Sequence, residues 1–91
     1  MISPDTRCRP RSDVRFRRLH PEAVVLRQED SEVMVLNEVG GRVLELLAAG
    51  SSVGEATDVL VAEFAVEREA LAGDLAAFVA ELLAARVLEE A

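Results

Sequence analysis

Glu32-Val33-Met34-Val35-Leu36-Asn37 is where this chain changes its hydrophobic period. Four apolar residues, Val33 to Leu36, follow a charged one and stop at an asparagine. N-terminal to them, apolar residues come in short alternating runs. C-terminal to them, apolar residues recur every three or four positions to the end of the chain. The segment is predicted to be a strand, with Met34 and Leu36 on one face and Val33 and Val35 on the other.

Two further strands are predicted upstream. In Val14-Arg15-Phe16-Arg17-Arg18-Leu19, Val14 and Phe16 share one face and Arg15 and Arg17 the other. His20-Pro21-Glu22 breaks the run, because proline donates no ladder hydrogen bond and drives His20 toward an extended conformation. Ala23-Val24-Val25-Leu26-Arg27 is the second strand, and Gln28-Glu29-Asp30-Ser31 has hairpin-loop length and polarity. Residues 1–12, with two prolines and little apolar content, are predicted to be a disordered Arg-rich arm, leaving residues 13–91 as the domain.

Downstream, Asn37 is a good helix N-cap, since its side-chain oxygen accepts an orphan backbone N–H. Val39, Val43, Leu46 and Leu47 form an amphipathic stripe after it. Gly40-Gly41 costs about 1 kcal/mol per glycine relative to alanine, which points to a backbone passing close by. Gly50 supplies a left-handed stop. Ser52-Val53-Gly54-Glu55 has the form of a capping box, and Val53, Ala56, Leu60 and Phe64 give the second helix its buried face. A third helix spans about 68–86, with a stripe of Leu71, Leu75, Phe78, Val79 and Leu82. Glu67 is a mediocre cap for it. Val87-Leu88 folds back on the bundle and residues 89–91 fray. Strands first and helices after make an α+β fold.

Composition narrows the function. The 91 residues carry a net charge of −7, and their only aromatics are three phenylalanines. All ten basic residues are arginine, and six lie in the first twenty positions against Asp5 and Asp13, leaving +4 there and −11 beyond. An acidic body disfavours nucleic acid. The lone Cys8 forms no internal disulfide, no apolar run has the length of a membrane span, and no signal-peptide h-region is present; a cytoplasmic protein is expected. His20 has no cluster of ligands at metal spacing. Ser51 and Ser52 sit at a helix start with no base beside them, so capping explains them. Glu55 and Asp58 share a helix face as solvated carboxylates commonly do. No catalytic residue, cofactor or metal is expected.

Leu36-Asn37-Glu38-Val39-Gly40, Leu46-Leu47-Ala48-Ala49-Gly50, Ser52-Val53-Gly54-Glu55-Ala56 and Asp74-Leu75-Ala76-Ala77-Phe78-Val79-Ala80-Glu81-Leu82 together resemble the PqqD family of RiPP recognition elements, over about 14–88. Val87-Leu88 stands where that family often has Gly-Leu. The resemblance implies a winged-helix-like fold, a three-stranded N-terminal antiparallel sheet followed by a three-helix bundle. It implies a non-catalytic chaperone that binds the leader segment of a ribosomally made precursor peptide and presents it to a modifying enzyme, commonly a radical SAM enzyme. In that family the leader adds as a strand beside the third strand, in the cleft between that strand and the third helix, and the resemblance implies the same here.

The residues fit that reading. Strand addition needs an open edge, and Glu32, Val33, Met34, Val35 and Leu36 carry no lysine, proline or bulge to blunt one. Asp74, Ala77, Phe78 and Glu81 are the candidates on the helix side: Ala77 permits close approach, the two acids suit basic leader residues, and Phe78 serves the groove or the core. A strand-swapped homodimer satisfies the same hydrophobic pattern as a monomer. The alternative is a winged-helix DNA-binding protein, for which Arg68 and Arg86 stand against Glu67, Glu69, Asp74 and Glu81 on the would-be recognition helix.

Overall fold

A computed structural model describes residues 2–91. In chain order the elements are β1 (Cys8–Pro10), β2 (Val14–Arg18), β3 (Ala23–Arg27), β4 (Glu32–Leu36), α1 (Glu38–Ala48), α2 (Val53–Phe64), α3 (Arg68–Ala84) and β5 (Leu88–Glu90). The sheet β2-β3-β4 is antiparallel throughout, with Val14 opposite Arg27 and Ala23 opposite Leu36. The α+β order and the three-stranded sheet are as predicted. A second, two-stranded sheet pairs β1 with β5.

Strand faces follow the alternation. Val14, Ala23 and Val25 are buried against the helices, and Met34 and Leu36 pack on the same core. Val33 and Val35 point away, 59% and 60% exposed. The helix starts are also as read. The Asn37 side chain accepts from the Gly40 N–H at 2.8 Å. Ser52 and Glu55 make both bonds of a capping box. Glu67 caps α3 with a bond from the Glu69 N–H at 3.2 Å. Gly50 takes φ +102°, and the bonds Gly50 N–H to Leu47 O and Ser51 N–H to Leu46 O close α1 in a Schellman motif. Arg86, φ +63°, performs the same turn after α3, with bonds to Leu83 O and from Val87 to Leu82 O.

Several expectations need correction. Residues 2–12 are not a disordered arm, and the domain does not begin at 13; Met1 lies outside the described residues. Cys8 is only 2% exposed and belongs to the core. The Val53 and Gly54 N–H groups donate to Thr6 O and Pro4 O, so this segment satisfies two of the donors that α2 leaves orphaned. It also covers α1, which is why Leu44, outside the predicted stripe, is fully buried. Residues 89–90 do not fray, because β5 is held by β1, and the Ala91 N–H donates to Arg7 O. His20 is not extended: it has φ +39° and a cis bond to Pro21, in a turn closed by Leu19 N–H donating to Glu22 O at 2.7 Å.

At Gly41 the close neighbours are side chains, not backbone. A Cβ there would lie 2.8 Å from both Ala23 Cβ and Arg18 Cδ. Ala23 is fully buried and cannot yield. Gly41→Ala is therefore expected to cost about 1–2 kcal/mol, because overpacking outweighs the gain in helix propensity. Gly73, in mid-α3, has nothing within 4 Å of its would-be Cβ. Gly73→Ala is expected to stabilise by about 0.5–1 kcal/mol. Urea denaturation of the two variants checks the opposite signs.

Candidate peptide-binding cleft

The order β2-β3-β4 leaves β4 with one unpaired edge. In an antiparallel strand every second residue turns its N–H and C=O away from its neighbour, so part of Glu32–Leu36 presents free main-chain groups to the open side. The opposite edge, β2, carries Arg15, Arg17 and Arg18 and is blunted by charge. β4 carries only Glu32 as a charge.

One groove lies at the start of β4 and a second just beyond its end. At its end, Asn37, Val39 and Gly40 face Leu71, Asp74, Leu75 and Phe78 of α3 and Val66 of the α2–α3 connection, around an open space of about 380 Å³. At its start, Glu32, Val33 and Met34 face Ala85 and Val87, with Val25 and Arg27 at the floor, around about 240 Å³. The start of β4 thus lies by the residues just after α3, and its end, through Leu36 and Gly40, by Phe78 in the middle of α3, so strand and helix run in opposite directions with one groove at each end of the cleft between them. Arg27 sets one end of it: its guanidinium donates to Ala85 O and pairs with Asp30 at 2.6 Å. Arg86 pairs with Glu29 at 2.7 Å, tying the β3–β4 hairpin to the helix a second time.

The helix-side candidates divide. Asp74 and Phe78 line the larger groove. Phe78 is half-buried: one part of it lines the groove and the rest packs on the core. Gly40 lets it in, since a Cβ at that position would lie 3.2 Å from the ring. Ala77 and Glu81 line neither groove; both are exposed on the turns between Asp74 and Ala85. Asp74 and Glu81 have no ion-pair partner among the described residues. The prediction missed Val39, Val66, Leu71, Ala85 and Val87. Val66 had a signal, as an apolar residue between Ala65 and Glu67 in a connection that buries little; it is 41% exposed.

The grooves hold aliphatic and aromatic sockets and the carboxylates of Glu32 and Asp74, beside the main-chain donors and acceptors of the β4 edge. Among the described residues no three His, Cys, Asp or Glu side chains gather as a metal site, and no helix is long and apolar enough to cross a membrane. Cys8 lines neither groove, and burial, then the Glu90 carboxylate, pushes its thiol above the usual range. Arg68 pairs with Asp58 and Arg86 with Glu29, which neutralises the cations that a DNA-reading helix would need.

Other carboxylates serve stability. Backbone and side-chain hydrogen bonds with Ser52, then Arg7, hold Glu55 below its ordinary range. Arg42 does the same for Glu63, and Arg27 for Asp30. Depressed carboxylates stabilise the fold above their unfolded values and lose that contribution as pH falls through the folded ones. The melting temperature is therefore expected to be level near neutrality and to fall below about pH 5, as thermal scans between pH 3 and pH 7 would show.

No curated protein matches the chain significantly. A solved structure, TbiB1 in complex with the TbiA(beta) leader peptide, is similar over 89% of this chain and 94% of that one, at 28% identity and a TM-score of 0.83. The family model for coenzyme PQQ synthesis protein D matches residues 22–88, from the β2–β3 turn to the start of β5. That span contains β4, α3 and the whole cleft between them, and the chain belongs to the PqqD family.

Proposed function

We propose that this protein is a RiPP recognition element, a non-catalytic chaperone that captures the leader segment of a ribosomally made precursor peptide and presents it to a modifying enzyme. The leader adds as a strand to the open edge of β4, within a winged-helix-like frame. The observation that carries this is the unblunted edge of Glu32–Leu36 running antiparallel to α3 across an apolar-lined cleft. The similarity to TbiB1, described with a leader peptide, supports it. Main-chain bonds to β4 supply affinity and the two grooves take alternate side chains. Asp74, which lines the larger groove, favours a leader with a basic residue between its apolar ones, and Glu81 and Ala77, exposed on α3 outside both grooves, meet the leader only where it runs on along that helix. No observation favours the DNA-binding alternative.

The test is a titration with the synthetic leader of the precursor peptide encoded beside this chain, followed by amide NMR, with duplex DNA at physiological salt as the second arm. Sub-micromolar leader binding with shifts at Val33, Met34, Val35 and Leu36 is expected. Absence of leader binding, with salt-sensitive binding of DNA, would overturn the reading.

A further inference from the structure

The face of the three-stranded sheet turned away from the helices is uncovered. Its register sets Val24 beside Val35 and Leu26 beside Val33, and puts Arg17 and Arg15 on β2 across from Val24 and Leu26. Leu19, 54% exposed, shares a shallow depression with these two arginines. Three of the four large apolar residues exposed among the described residues, Leu19, Val33 and Val35, therefore lie on one sheet face. Single exposed aliphatics need no account, but a contiguous set does.

Charge says what covers it. Eight of the ten arginines have a carboxylate partner; among the described residues Arg15 and Arg17 have none. Arg15 donates only to the main-chain oxygens of Ser12 and Val14. In a protein of net charge −7, the two unmatched cations stand together beside the aliphatic patch. A second copy laid on this face offers no match, because the outward strand residues carry no carboxylate.

We propose that the outer sheet face docks a folded protein whose contact surface is apolar at its centre and acidic at its rim. Resting on the function proposed above, that partner is the enzyme acting on the bound peptide. A strand added to β4 continues this face, so a protein seated on Val33 and Val35 also meets the peptide.

The probe is the purified peptide-modifying enzyme encoded beside this chain, titrated calorimetrically with the full chain and no leader. The wild type is expected to bind, more weakly as salt rises. The double variant R15E/R17E is expected to bind at least about tenfold more weakly, since it sets acid against acid. Its melting temperature and its leader affinity should stay unchanged, because β2 is the edge remote from the cleft. Failure of the wild type to bind, equal binding by the double variant, or a wild-type homodimer that R15E/R17E disperses would each overturn the proposal. Loss of leader binding with enzyme binding intact counts against the chaperone reading and leaves the docking face standing.

Discussion

A leader peptide N-methylated at every second amide is expected to bind in two very different ways, depending on which set carries the methyl groups. In an antiparallel pair, alternate residues of the added strand exchange both main-chain bonds with β4, and the others point away. Methylating the inward set removes two or three donors and puts bulk into the ladder. At about 0.5–1.5 kcal/mol per hydrogen bond, with a steric cost added, the loss is about 3 kcal/mol or more, roughly a hundredfold in Kd. Methylating the outward set should change the affinity little. Fluorescence anisotropy with the two peptides checks the asymmetry. Equal loss from both sets would mean that the peptide does not bind as a strand, even if it occupies the grooves.

A chain shortened to residues 11–91 is expected to melt at least about 12 °C below the full chain. The removed segment leaves the Val53 and Gly54 N–H groups without Thr6 O and Pro4 O, and β5 without its partner. It also uncovers the cluster of Leu44, Val53 and Leu88 around the vacated Cys8 position. Lost burial of Cys8 and re-exposure of its neighbours amount to about 3 kcal/mol, before the lost hydrogen bonds are counted. One kcal/mol moves the melting point of a domain this size by about 4–8 °C. Differential scanning calorimetry of the two chains decides it. A disordered arm would come off without effect.

These two results address features of unequal legibility. The alternation in β2, β3 and β4 showed which side chains face the helices, because a strand's period is a property of neighbouring residues. The caps at Asn37 and Ser52 and the stop at Gly50 were legible for the same reason: each bond spans three to five positions. Glu67 was identified as a poorer cap, and it does hold the start of α3.

What escaped depends on contacts far apart in sequence. Cys8-Arg9-Pro10 has neither the length nor the alternation of a strand, and its partners Leu88-Glu89-Glu90 look like a fraying end. Each segment is a strand only because the other closes the chain on itself. Leu44 fell outside the apolar stripe of α1, since a stripe assumes one buried side and this helix is covered on two. The grooves required Val39, Leu71 and Ala85 to converge from separate elements.

By itself the sequence determined that Glu32–Leu36 is a strand, that Met34 and Leu36 hold it to the helices, and that Asn37 starts the first of them. Tertiary structure alone decided that this strand lies at the sheet edge rather than its centre, and that α3 runs back along it to leave a cleft. It also decided that, among the described residues, Arg15 and Arg17 have no carboxylate partner while the other arginines do. Periodicity and capping are settled within one turn of helix or one pair of strand residues. An edge, a cleft and an unpaired charge are defined by what the rest of the chain fails to cover, and only the packed chain shows that.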